Sequence, residues 1–264
     1  MSSRPLLFNE NTRVEAAERA PGALVVVPVA ATEQHGPHLP LGTDTFLVEA
    51  VARQAASLAA NEIDVLVTPT LATGASHHHF PFGGTLSLAS ETYYRTVRDL
   101  VLSLIRDGFQ RVFVINGHGG NHELIQVVVR DLVLEYQANL AAASYWDLAR
   151  TALAAQAPEV TGRLPGHAGY FETAMLMAIR PDLVRTPLPR RTAEEIARAA
   201  VPSSPYRLER SGHWASIGGH TDSPLDATPE GGQRLLEIVV PAVADTFLEF
   251  ARLPLLFEET PTSL

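Results

Sequence analysis

ALVVVPVA, residues 23–30, decides how this chain folds. Eight apolar residues in a row, four of them valine, show no polar alternation. Such a run fits a strand covered on both faces, the habit of parallel sheets flanked by helices. The next stretch is opposite in character: TEQHGPHLPLGTD, residues 32–44, sets Glu33, His35, His38 and Asp44 within twelve positions. Hard oxygen and borderline nitrogen donors packed this densely behind a buried strand suit a divalent cation, and hydrolysis is the first chemistry they point to.

Outward from this pair the pattern repeats. Residues 45–60 have a helical apolar period, with Asp44 near the N-cap position. Residues 64–69 read as a second strand, and 90–107 as a long helix with Ser90 as its cap and Gly108 as its stop. A third strand over 111–116 runs into a helix from about residue 120 to 136, and residues 140–145 read as a fourth strand. Helices over 169–179, ending before Pro181, and over 229–250 complete the series. Strand then helix, repeated, implies a mainly parallel sheet covered by helices, an α/β fold. The 264 residues are read as one domain, 1–264. Residues 181–228, with Pro202, Pro205 and Pro224 among many Arg and Ser, read as an irregular excursion, a lid or an oligomer contact.

Composition narrows the function. The chain is 46% hydrophobic and 19% charged, ordinary for a soluble globular protein. No apolar run reaches the roughly 20 residues of a membrane span, and the start lacks a secretory core, so a cytoplasmic protein without membrane attachment is expected. A net charge of −9 argues against nucleic acid as a partner. With no cysteine, a metal must be held by His, Asp or Glu, which favours Zn, Mn or Fe in a catalytic style of site. All 20 basic residues are arginine, so lysine chemistry is ruled out.

In a parallel sheet, the loops after the strands all emerge on one edge. They carry Glu33, His35 and Asp44, then His77 to His79, then residues 116–121, then Trp146. Two residues apart in extended backbone, Glu33 and His35 point the same way. The Asp44 carboxylate has two oxygens and can bridge two cations about 3.5–4 Å apart. The plainer alternative makes Asp44 a helix cap and Glu33 a surface charge. NGHGGN, residues 116–121, resembles a phosphate-cradling turn, but no lysine accompanies it, and His118 is better read as a metal ligand. SHHHFPFGGT, residues 76–85, can bind metal, bind substrate or line a wet loop. GHAGYFET, residues 166–173, opens a helix. His167 and Glu172 stand about 140° apart on a helical wheel, so they share a site only if His167 precedes the first turn. His167 then serves as general acid and base and Glu172 as ligand or supporting carboxylate, the alternative being a helix-start His and a buried ion pair. His213, Trp214 and His220 are assigned no role.

Together TEQHGPHLPLGTD, residues 76–85, NGHGGN, SYWD (residues 144–147) and GHAGYFET resemble the creatininase (creatinine amidohydrolase) family. The likeness spans about residues 20–180, with a weaker trace at 227–232. It implies a Rossmann-like three-layer α/β/α sandwich, a two-metal centre and a homohexamer built as a trimer of dimers. It carries metal roles onto Glu33, His35, bridging Asp44 and His118. Creatininase has a ligating Glu two residues after the His of its corresponding motif. Here that position is Gly120, so the second metal either takes another ligand, Glu172 or water, or binds more weakly. Creatininase also has a Trp-Asp pair that contacts substrate, and those positions are Arg163 and Leu164 here. Trp146 matches a Trp that closes over substrate in creatininase.

The expected activity is therefore hydrolysis of a non-protein amide bond in a small cyclic or linear molecule. A coordinated water, its pKa lowered from 15.7 toward about 7, would attack the carbonyl. His167 passes a proton to the leaving nitrogen, while Ser76, His78, Trp146, Gly119 and Gly120 contact substrate. A formamide deformylase or a mycofactocin-type peptidase of the same family is the runner-up. A single-metal lyase or isomerase and a non-catalytic metal-binding module are the rivals from other classes.

Overall fold

The computed structural model describes residues 6–200 and 208–256. Four strands, β1 (Leu24–Val29), β2 (Val65–Val67), β3 (Arg111–Asn116) and β4 (Asn139–Ser144), form one sheet in the order β2-β1-β3-β4. Every pairing is parallel, with Leu24 opposite both Val65 and Arg111, and Asn116 opposite Ser144. The helices are α1 (Arg13–Arg19), α2 (Thr43–Ala59), α3 (Ser90–Arg106), α4 (His122–Glu135), α5 (Tyr145–Leu148), α6 (Arg150–Gln156), α7 (Tyr170–Ile179), α8 (Ala193–Ala199), α9 (His213–Ser216) and α10 (Pro229–Arg252).

β1 explains why its sequence is apolar throughout. Successive side chains point to opposite faces. Leu24 and Val26 join Phe113 and Ile115 under α2, α7 and α10, while Val25, Val27 and Val29 join Val112 and Val114 under α3 and α4. All six β1 residues are buried. The result is the expected α/β/α sandwich. From β1 the chain steps to one neighbour, β2, and then crosses to β3 on the other side. The strand order therefore reverses between β1 and β3, and open α/β sheets bind ligands in the crevice at such a point. Among the described residues no helix is long and apolar enough to cross a membrane.

Asp44 lies near the N-cap of α2 as expected, two residues after the cap Gly42, and its carboxylate turns to imidazoles, against the plainer alternative in which it serves only as a cap. Other local expectations are corrected. Ser90 is the first residue of α3, and Ala89 supplies the opening carbonyl to Tyr93. The segment after β3 begins as a 3-10 turn, Gly119–Asn121, before α4. Residues 181–228 are less irregular than expected, since they contain a 3-10 turn (Pro181–Leu183), α8 and α9. Pro202 and Pro205 lie outside the described residues.

Candidate metal centre

The loops at the carboxyl edge of the sheet deliver the site. Beyond β1, the Glu33 amide donates to Leu41 O at 2.9 Å, closing the loop that holds Glu33 and His35 beside Asp44 on α2. The loop after β3 is knitted by its two asparagines. Asn116 Oδ1 accepts from His118 N at 3.0 Å, while Asn121 ties Ala30 O and Ala75 N into the same turn. His167 precedes the first turn of α7, as sharing the site with Glu172 requires, and Ala168 between them adopts a φ of 50°. The Ala168 amide donates to Glu172 Oε2 at 2.6 Å and fixes that carboxylate.

Glu33, His35, Asp44, His118, His167 and Glu172 are all buried and converge. That overturns the plainer alternative in which Glu33 is a surface charge. His35 Nε2 lies 3.0 Å from Asp44 Oδ1, and His118 Nδ1 lies 3.2 Å from Asp44 Oδ2 and 3.3 Å from Glu33 Oε1. Glu172 Oε2 is 3.8 Å from His35 Nε2. Backbone carbonyls, which can only accept, set the tautomers. His35 Nδ1 donates to Glu33 O at 3.1 Å, and His118 Nε2 has Ala75 O at 3.3 Å and Ser76 Oγ at 3.1 Å. The opposite nitrogens, His35 Nε2 and His118 Nδ1, therefore turn lone pairs toward the two oxygens of one carboxylate.

Lone pairs facing carboxylates repel unless something positive lies between them. Burial opposes charging His35, yet Asp44, Glu172 and Glu33 prevail and raise it to about 10. His118 rises well above its ordinary value for the same reason, Glu33 and Asp44 outweighing burial. Burial pushes the Glu33 carboxyl up, but His118 above all holds it well below its usual range. Burial drives Glu172 up to about 8 even though His35 opposes it. Burial and the neighbouring His35 keep His167 neutral, well below its ordinary value.

The residues present fit a divalent cation. Both Glu33 oxygens, His35 Nε2 and Asp44 Oδ2 are buried without a hydrogen-bond partner, a costly state for a polar atom unless a metal satisfies it. Glu33, His35 and Asp44 place ligand atoms within 4.8 Å of one another, as do His35, His167 and Glu172. A glutamate at Gly120 has no room, because its Cβ would collide with Ala75 O and His118 Nε2. Glu172 supplies a carboxylate on the His35 side instead.

These groups open into a cavity of about 780 Å³ also lined by His78, Trp146, Gly119 and Gly120, all expected at the substrate. Ser76, also expected there, is fully buried behind His118 and does not reach the cavity wall. His38, counted among the donors in the sequence, turns away and pairs with Thr173 Oγ1 at 2.9 Å. His77 lies outward against Ser87. His79 was read only as part of an ambiguous run, but its Nε2 comes within 3.4 Å of Glu33 Oε1. Trp214 of α9, given no role from sequence, packs against His78, His79 and His167 with ring centroids 5.2, 4.6 and 5.4 Å away. Thr221 clamps His167 on both sides: its Oγ1 accepts from His167 N at 2.8 Å and its amide donates to His167 O at 2.9 Å. Nothing local in the sequence of residues 208–222 signals this role, because it arises only from contacts with His78, His79 and His167, which are distant in sequence.

Comparisons with known proteins agree with this geometry. Residues 9–247 match the creatininase family, described as creatinine amidohydrolase. The chain is 33% identical over 233 residues to the mycofactocin precursor peptide peptidase of Mycolicibacterium smegmatis, covering 84% of this chain and 83% of that protein. It is 30% identical over 253 residues to the creatinine amidohydrolase of Pseudomonas putida, covering 89% and 92%. A solved structure titled as creatininase with Mn superposes with a TM-score of 0.77 at 28% identity, covering 93% of this chain and 98% of that one. Donor cluster, sheet order and sequence lead to one conclusion: this chain belongs to the creatininase family of amidohydrolases.

Proposed function

We propose that the protein is a metal-dependent amidohydrolase that cleaves a carbon–nitrogen amide bond at a two-cation centre. One observation carries the reading: each Asp44 oxygen faces a different imidazole lone pair, with Glu33 beside one and Glu172 beside the other. Glu33, Asp44 and His118 would hold one cation, and His35, Asp44 and Glu172 the second. Zn, Mn and Fe all suit this oxygen and nitrogen set. The Mn of the superposed creatininase supports a divalent ion. The chemistry supplied by cations held there would be a coordinated water acidic near neutral pH and a polarised amide carbonyl.

The chain's own residues do the rest. His167, neutral and buried, presents Nδ1 toward Glu33 at 3.5 Å and can take a proton there and return it to the departing nitrogen. Trp146, Trp214 and His78 wall the cavity and exclude bulk water, which strengthens every charge interaction inside. Gly119, with open space where a side chain would be, lets substrate approach the backbone.

The substrate class is a small cyclic or linear non-protein amide. A short peptide is the second reading, favoured by the cavity of about 780 Å³ and by the likeness to a peptide peptidase. A formamide is the third. The proposed assembly is a homohexamer, a trimer of dimers. The deciding experiment strips the protein of metal, restores Zn or Mn, and offers lactams, cyclic ureas, formamides and short peptides. Acid or amine should appear from one class, only after reconstitution. Peptide cleavage with lactams untouched selects the second reading, and full metal occupancy with no release from any class overturns the hydrolase.

A further inference from the structure

Gln34 stands between Glu33 and His35, is buried, and reaches two of the imidazoles beside Glu33, those of His79 and His167. Its side-chain oxygen accepts from Gly36 N at 3.0 Å, and its Nε2 donates to Gly219 O at 2.7 Å. Flipping the amide would set oxygen against that carbonyl and N–H against N–H, so its orientation is fixed. Nε2 has a second hydrogen and two imidazole nitrogens within reach, His79 Nδ1 at 2.8 Å and His167 Nε2 at 3.0 Å.

Only one of the two can take it. His167 Nε2 is also 2.9 Å from the backbone oxygen of Gln34, which can only accept, so His167 Nε2 carries a hydrogen. The free amide hydrogen therefore goes to His79 Nδ1, leaving the ring hydrogen of a neutral His79 on Nε2, the atom 3.4 Å from Glu33 Oε1. His167, in contrast, turns the lone pair of Nδ1 toward the same oxygen at 3.5 Å. Two stacked imidazoles, with centroids 4.2 Å apart, thus meet Glu33 with opposite polarity.

We propose that Gln34 is a positioning residue: it sorts the imidazoles beside Glu33 into one that turns an N–H toward it, His79, and one that turns a lone pair toward it, His167, and ties both to residues 208–222 through Gly219. His79 then supports Glu33 without being a cation ligand, although its distance alone would admit it. His167 is left with its basic nitrogen facing the reaction space. Gly219 lies so close to Gln34 that a Cβ there would sit 2.9 Å from its Oε1, so the wall bearing Trp214 is registered on the same amide. The inference rests on the metal-centre reading of Glu33, but its test does not depend on turnover.

The test is imidazole nitrogen NMR on zinc-reconstituted protein with 15N-labelled histidine, signals assigned by their loss in His79→Gln and His167→Gln. Both His79 and His167 should carry hydrogen on Nε2. In Gln34→Glu, which keeps the shape but offers only acceptors, His79 should shift to hydrogen on Nδ1 or on both nitrogens. Its zinc content should stay full while kcat on the substrate found in the amide panel falls roughly 10- to 100-fold, the usual loss for a supporting partner. Should that variant not fold, the wild-type spectrum decides alone. A wild-type His79 bearing its hydrogen on Nδ1, or an unchanged His79 signal in Gln34→Glu, overturns the proposal. If the panel yields no turnover while the spectra are as expected, the hydrolase reading fails and the positioning role stands.

Discussion

Asp44 is the side chain whose two oxygens serve two imidazoles on opposite sides of the site. Asp44→Ala should lose both cations together, because each site gives up a shared anionic ligand. Metal analysis of that variant showing one ion retained would disprove the bridge. The protons on this centre lead to a second prediction. Asp44 and Glu33 overcome burial and keep His35 charged up to about 10 and His118 charged well above its ordinary value, so the metal-free site binds protons on the lone pairs a cation needs. Raised imidazole values mean those protons are present at neutral pH and must leave, so affinity should weaken about tenfold per unit of falling pH for each proton displaced. Calorimetry of Zn binding in buffers of different ionisation enthalpy should show at least one proton released; no buffer dependence would mean neutral imidazoles. Glu33, His35 and Asp44 were legible in the sequence because their donors crowd behind an unmistakable strand, and His118 because it sits in a Gly-rich turn directly after another. Gln34 and His79 were not, since an amide and one His among three acquire meaning only from what faces them.

Among elements, α7 and α10 show how closely the site depends on packing far from it. Gly232 in the first turns of α10 lies so near α7 that a Cβ would overlap Ala174 O, two residues beyond Glu172. Gly232→Val should therefore push the helices apart and cost about 1–3 kcal/mol, the usual range for overpacking. Thermal unfolding of the metal-free protein should show the drop, and an unchanged Tm would mean that α10 is free to shift. The strands were readable as short apolar runs without alternation, and the long helices α2, α3, α4, α7 and α10 as longer helical stretches between them. α8 and α9, of seven and four residues, were not, because so few turns display no period at all. The misplaced cap has a local cause. Ser90 has capping chemistry, but it stands one residue inside α3, and Ala89 supplies the first carbonyl in its stead.

At the scale of the molecule, the reversal of strand order between β1 and β3 is what gathers loops distant in sequence into one crevice. The proposed hexamer belongs to this scale. Leu100 on α3 and Leu134 on α4 are exposed apolar side chains on the outer layer and offer contact surface to another copy. Light scattering on the purified protein should give six times the 28.5 kDa of one chain, and a monomer at micromolar concentration would dismiss the assembly. The cavity has two sources: a floor of acids and imidazoles rooted in the sheet, and a wall with Trp214 from a stretch that joins the floor chiefly at Gly219 and Thr221. Such modularity separates chemistry from choice of guest. Exchanging residues 208–218 should alter which guest the cavity admits more than it alters the buried acids and imidazoles. Trp214, which packs on His79 and His167, is the position where the two are linked.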